Sequence, residues 1–524
     1  MTLDRPPVRH RKPAAPELPG PAAVLLRLRA PAAAVLVLAG ALLPWASVVL
    51  PGGAYPDLAT LQFFDAPHLV TGFRLHLVLL GLAAALLPRA RKPAAIGVIA
   101  IALVHMAFLT GLGALSIGGP VTLAAGALLL WAARAEPPRP RMELKTPPPA
   151  VAWLVLLVAF AALLWLVSAT LTAGGQSRAT NPYGGAEFLA FLGFGLAVAG
   201  VLSAYGVLAW ISAMSERHRI FSIAVLLGCA LMLPFTQAGT GYWMTVASSI
   251  GVYAATAIGL NIVVGLAGLL DLGYVAFLGI GAFTAANLAH AVPFPVAALA
   301  GAVTAGVFGV VVGSPTLRVR GDYLAIVTLA FGEIFFRAAQ NDIGGLTGGA
   351  NSIPGIPPIN VLGLAFNEPV GGLPGGSRYY MISVLMVAGA MAVLANLRRS
   401  RTGRAWLAIR EDEDVARAMG VRTGRAKIVA FLVGATLAGL AGAVFAHKLG
   451  TVGYESFDFS ESVTLLAAVV LGGMGTVPGA VVGASLLFVL PEKLREFSDY
   501  RLMLFGLALI LIMRFRPQGL VSSS

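Results

Sequence analysis

Charge is scarce in this chain. Of its 524 residues only 11% are Asp, Glu, Lys or Arg, and 58% are hydrophobic; a soluble domain carries about 25% charged residues. So few polar side chains cannot cover a water-facing exterior, which excludes a soluble globule and leaves an α-helical membrane protein. Cysteine is nearly absent as well. The lone Cys229 excludes an intrachain disulfide and a Cys-based metal cluster. No glycine is followed by lysine, so there is no G-x-x-x-x-G-K-[ST] phosphate loop and no means for the chain to hydrolyse ATP itself. H-E-x-x-H is missing, the seven histidines are scattered, and no nucleophile stands in a recognisable elbow. These absences predict no catalytic residue, no metal and no cofactor bound by this chain.

What is present is apolar runs separated by basic loops. Runs long enough to cross a bilayer, roughly 17–25 residues, fall at 30–50, 70–88, 94–111, 113–133, 150–172, 187–214, 220–237, 244–266, 270–291, 296–314, 322–338, 380–397, 427–447 and 500–515. The second is interrupted by Arg74 and His76. The net charge of +13 sits between these runs, where it sets orientation rather than binding nucleic acid. Arg5, Arg9, Arg11, Lys12, Arg27 and Arg29 make residues 1–29 a disordered, basic cytoplasmic tail. Basic clusters then recur in alternate loops at Arg89–Lys92, Arg134–Lys145, Arg217–Arg219, Arg318–Arg320 and, densest, Arg398–Lys427. Both termini are therefore expected in the cytoplasm, with the Gly-rich loop Ala339–Arg378 outside. The composition shifts near residue 240, which divides an N-terminal accessory region, 30–240, from a core, 241–524.

One stretch breaks the pattern. Between Val463–Leu471 and Ala480–Leu490 lies Gly472-Gly473-Met474-Gly475-Thr476-Val477-Pro478-Gly479. A re-entrant pair keeps both termini inside; a single kinked helix is the other reading. Irregular backbone at membrane depth needs protein or a water-filled path around it, so Gly472, Gly473 and Gly475 are candidates for lining a translocation path. Asp271, Asn261 and Thr328 are the other candidates, because polar groups at bilayer depth face the bundle or a cavity. For Asn261 and Thr328 a hydrogen bond between helices is the preferred reading, ahead of a bond to a passing ligand. Glu333 and Arg337, spaced i, i+4 with the acid first, read as a structural ion pair.

The loop 398–427 holds nine basic residues and the run Glu411, Asp412, Glu413, Asp414. Carboxylates favour a helix N-terminus, and Gly420 suits a left-handed helix end. A short capped helix follows, with Val415, Ala416 and Met419 as a small apolar face. Either it is a solvated, positively charged anchor or it docks into a groove on a partner.

Several segments resemble LivM-type permeases of branched-chain amino-acid ABC importers, and they fall along the chain in the family's order. They are GRAWLAIREDEDVARAMGVRTGRAKIVAFLVGATLAGLAGAVFA (403–446), LNIVVGLAGLLDLGYVAFLGIGAFTAANL (260–288), LRVRGDYLAIVTLAFGEIF (317–335), LTGGANSIPGIP (346–357), SVTLLAAVVLGGMGTVPGAVVGASLLFVLPEKL (462–494) and RFRPQGL (514–520). The resemblance covers roughly 244–520. It implies that Glu411, Asp412, Glu413, Asp414, Ala416, Met419 and Gly420 form a coupling helix seated in an ATPase subunit. It also implies a second permease subunit, two ATPase subunits holding ATP and Mg, and an extracytoplasmic substrate-binding protein.

The expectation is an all-α, polytopic inner-membrane helical bundle of about 14 transmembrane helices plus a re-entrant pair. It would act as the permease subunit of an importer for branched-chain or related hydrophobic amino acids. A related importer for urea, amides or another small metabolite is the first alternative. An ion-coupled secondary transporter, which would need mid-span charges that are few here, is the second.

Overall fold

The computed structural model describes residues 21–47, 73–111, 113–136, 147–172, 184–314, 322–361, 364–369, 371–493 and 519–521, with residues 503, 506, 510 and 514 singly. The tail before residue 21, Arg139, Arg141, Lys145, Arg318, Arg320 and most of the run 500–515 lie outside the described residues. The N-terminal helices are α1 (Pro21–Leu42), α2 (Phe73–Leu86), α3 (Arg91–Gly111), α4 (Gly118–Arg134), α5 (Pro149–Thr172), α6 (Gly184–Ala204), α7 (Val207–Arg217) and α8 (Arg219–Met232). After them come α9 (Gly241–Leu260), α10 (Val275–Leu288), α11 (Phe294–Gly313), α12 (Asp322–Gln340), α13 (Ser377–Arg399), α14 (Arg401–Glu411), α15 (Glu413–Ala418), α16 (Thr423–Leu449), α17 (Phe459–Gly472) and α18 (Gly479–Lys493). Besides short 3-10 and π-helical turns, the described elements include four two-residue strands: β1 (Ile353–Pro354), β2 (Asn360–Val361), β3 (Leu364–Ala365) and β4 (Thr451–Val452).

The dominance of helix follows from the solvent. A lipid-embedded backbone must satisfy its own hydrogen bonds, and a helix does so within one segment. Among the described residues, 8 helices are long and apolar enough to cross a membrane, and Arg29–Leu42, Phe73–Leu86, Val275–Leu288 and Gly479–Glu492 are shorter apolar helices. The single span expected at 187–214 is corrected. Its helix stops at Ala204, turns at Tyr205–Gly206 and restarts as α7. Gly206 sits at φ +74, a left-handed geometry that glycine adopts without steric cost.

The chain forms two compact units: residues 1–152 with 173–217, and residues 153–172 with 218–524. In the first, α1, α3 and α4 pack through Ala34, Ala41, Ala95, Ala102 and Ala125 around Trp45. The two residues that interrupt the run at 70–88, Arg74 and His76, are both buried. The His76 ring stacks on Phe194 of α6 at 4.4 Å. They thus face the bundle interior, where a polar group in a membrane helix costs least.

In the second unit α16 is the central post, packed against α10, α11 and α9. Glycines set the closeness of those crossings. A Cβ at Gly439 would lie 2.4 Å from the Ala305 Cβ and 2.5 Å from the Gly301 carbonyl; one at Gly442 would lie 2.1 Å from the Leu278 carbonyl. This is the small-residue contact that lets membrane helices gain dispersion energy without a hydrophobic driving force. At one end of α16, β4 pairs antiparallel with β1, Val452 opposite Ile353. There Asp342, at φ 49, accepts from the amides of Thr347 and Gly348, both at 2.9 Å. The Thr347 amide, foremost among these bonds, holds the Asp342 carboxyl below its usual pKa.

Replacing Gly439 by leucine should separate α16 from α11 and cost about 1–3 kcal/mol or more. Thermal melting of the detergent-solubilised protein measures it, and an unchanged transition would contradict the packing described.

Candidate functional site

Most of the candidate residues gather at the other end of α16, about 40 Å away for 27 residues. There α9 does not end cleanly. Asn261–Leu266 winds as a π-helix, a feature common at functional sites. The Ala267 amide reaches back five residues to the Ile262 carbonyl at 3.2 Å. Gly268 follows at φ +70, and the chain runs as irregular backbone until α10 begins at Val275.

Against this break rests the turn of a helical hairpin. Helices α17 and α18 have 14 and 15 residues, about 21 and 22 Å, each shorter than the roughly 30 Å hydrocarbon core. They pack on each other. The far end of α18 is tied to the start of α9, where the Tyr242 hydroxyl donates to Glu492. The turn Gly473–Pro478 lies against the opposite end of α9. The chain thus goes in and comes back toward the same side, as a re-entrant pair does.

Each candidate glycine has a packing reason. A Cβ at Gly472 would lie 1.9 Å from the Gly479 carbonyl, so its absence lets α17 and α18 touch. Gly473 and Gly475 turn the chain at φ +116 and +76. Asn261 is fully buried and grips the turn with both ends of its amide. Its Oδ1 accepts from the Gly475 amide at 2.8 Å, and its Nδ2 donates to the Thr476 carbonyl at 2.8 Å. The Leu520 and Val521 amides donate to the carbonyls of Leu471 and Gly472. Thr328, on α12, accepts from the Leu272 amide at 3.1 Å and donates to the Ala325 carbonyl at 3.1 Å. Asn261 thus bonds α9 to the turn, and Thr328 bonds α12 to the irregular stretch through Leu272. Asp271 is buried in the broken stretch. Its Oδ1 accepts from the Gly273 amide at 3.0 Å, while Oδ2 has no hydrogen-bond partner among the described residues. The pair Glu333–Arg337 forms at 2.8 Å on an exposed face, a contact worth about 0.5 kcal/mol or less.

The acidic run folds as a capped turn. Asp412 is the N-cap of α15, its Oδ1 accepting from the amides of Asp414 and Val415 at 2.8 and 3.0 Å. Gly420 closes the turn at φ +87. Glu411 ends α14 on the exposed surface. Glu413 accepts from Lys427 at 2.7 Å and from Arg417 at 2.9 Å, and the Lys427 side chain is only 3% exposed. Trp406 of α14 is buried and donates through Nε1 to the Ala426 carbonyl at 2.7 Å. Hairpin α14–α15 is therefore fixed to the base of α16. The apolar face expected from Val415, Ala416 and Met419 needs one correction. Val415 and Met419 are 59% and 80% exposed, but Ala416 is buried against the core, because the short helix must seat one small residue on the bundle.

Sequence reasoning missed Arg410, Lys427 and Trp406. Arg410 donates through Nη1 to the Gly265 carbonyl at 2.6 Å. It was one of nine basic residues in its loop, with nothing to mark it out, whereas the partners of Lys427 and Trp406 depend on how the hairpin folds back.

Asn261→Ala should strand the Gly475 amide and the Thr476 carbonyl and cost about 1–3 kcal/mol for each unmet group. Limited proteolysis near residue 475 reads this out, and wild-type resistance to cleavage would refute the assigned role.

Residues 242–513 match the family described as branched-chain amino acid transport system / permease component. The chain is 39% identical over 338 residues to the high-affinity branched-chain amino acid transport system permease protein LivM of Escherichia coli (strain K12), covering 60% of this chain and 77% of that protein. The LivM protein of Salmonella typhimurium (strain LT2) is likewise 39% identical over 334 residues, with the same coverage. LivH of Salmonella typhimurium is 30% identical over 146 residues, 27% of this chain and 47% of that protein. No solved structure matches. With the matched region holding the π-helical end of α9, the hairpin α14–α15 and the re-entrant turn, this multi-pass inner-membrane chain belongs to the branched-chain amino acid transport system permease family.

Proposed function

We propose that the chain is the permease subunit of an ATP-driven importer for branched-chain or related hydrophobic amino acids. The observation that carries this reading is the hairpin α14–α15. Glu413 is satisfied by Lys427 of α16 and by Arg417 of its own helix, while Val415 and Met419 stand exposed at the tip. An apolar tip on a rigid, capped helix suits insertion into a groove of a partner, here one of two ATPase subunits, which hold the ATP and Mg that this chain lacks the loop to bind. A second permease chain completes the membrane core. The hairpin end faces the cytoplasm with both termini, and the β1–β4 end faces outward, where a substrate-binding protein delivers its cargo. ATPase closure pushes the hairpins, and the two permeases move as rigid groups to alternate access.

The autoinducer 2 import permease LsrC of Yersinia enterocolitica is 36% identical over 113 residues. That likeness keeps a related importer for another small metabolite as the second reading, which transport assays with amino acids and with other metabolites separate.

When the tagged chain is expressed with its genomic neighbours, two ATPase chains and a second permease should co-purify. The double substitution Val415→Asp, Met419→Asp should remove the ATPases while leaving the permease pair monodisperse. Retention of the ATPases by that variant would place their contact elsewhere.

A further inference from the structure

We propose that Arg410 is the positioning residue through which the hairpin α14–α15 moves the re-entrant turn, a step that rests on the permease reading above. Arg410 lies in the last turn of α14, two residues before the capping Asp412, so it travels with the docking tip. Three separate breaks in helical structure converge on it. Its Nη1 donates to the carbonyl of Gly265, next to the end of the π-helix, at 2.6 Å; a charged donor makes such a bond shorter and stronger than a neutral one. A Cβ at Gly475 would stand 3.1 Å from that same Nη1 and 3.0 Å from the Gly265 carbonyl. The guanidinium thus rests against the re-entrant turn where that residue has no side chain. At Gly268, φ +70, a Cβ would stand 3.1 Å from both Cα and Cβ of Arg410, so α14 lies flush on the break after the π-helix.

Trp406 and Glu413, by contrast, anchor the hairpin to α16. Two of the hairpin's attachments therefore have different consequences. One fixes it to a long straight helix. The other, a single guanidinium, reaches the backbone at the point where α9 and the re-entrant turn are joined by Asn261. A push that shifts α14 must either stretch the Arg410 bond or carry Gly265 and the turn with it. Lysine, a point charge without the planar fork, would not keep the same seat.

The test uses the whole importer in membrane vesicles, in a Cys229→Ser background with Met474→Cys as the reporter, since Met474 is exposed at the turn. With Arg410 present, adding ATP should change the rate at which a thiol reagent labels position 474. Arg410→Ala should abolish that ATP dependence and lower substrate taken up per ATP hydrolysed about tenfold, with the complex still assembled. ATP-dependent labelling and uptake per ATP at wild-type values in Arg410→Ala would overturn the proposal. Should that variant not assemble, Arg410→Gln, polar but too short to reach Gly265, is read by the same two measurements. Wild-type vesicles without ATP-dependent uptake would overturn the permease reading, and this inference with it.

Discussion

Hydrocarbon offers no hydrogen bonds, so every helix broken at membrane depth leaves amides and carbonyls that the protein must satisfy from within. Much of the second unit follows from that requirement. α9 unwinds into a π-turn, the segment before α10 is irregular, and α17 and α18 stop short of a full crossing. The groups set free find partners in one place. Asn261 takes the amide of Gly475 and the carbonyl of Thr476, Arg410 takes the carbonyl of Gly265, and the amides of Leu520 and Val521 reach Leu471 and Gly472. Each unmet group would cost about 1–3 kcal/mol, comparable to a sizeable part of a protein's net stability. The junction is thus held by a few specific hydrogen bonds.

The position of that junction gives it consequence. It meets the base of α16 through the hairpin α14–α15, and α16 runs about 40 Å to the end where β4 pairs with β1. The hairpin contacts both the long helix α16, through Trp406 and Glu413, and the break at Gly265, through Arg410. Glycines along α16 keep the post close to α10 and α11, and a closely packed interface transmits movement rather than absorbing it.

Much of this was legible in the sequence, and the limits are physical. Apolar runs located the helices because lipid imposes one period and one length on them. Gly472–Gly479 announced a break, since so many glycines cannot propagate a helix. The acidic run with Gly420 announced a capped turn, and Asp412 and Gly420 take those roles. The break at Gly206 inside an apolar run went unread, because a single glycine is compatible with a continuous helix. Asn261 was noticed for its polarity, but its partners lie more than 200 residues away. Arg410 stayed hidden among neighbouring arginines, and Ala416 was assigned to the wrong face because a six-residue helix has too little periodicity to orient it.

ATP-driven import through this chain is measured in proteoliposomes holding the permease pair, the ATPases and the binding protein, by following labelled leucine. Uptake should need ATP and the binding protein and persist when ion gradients are collapsed. Uptake driven by an ion gradient, with this chain alone and no ATP, would contradict ATP-driven import.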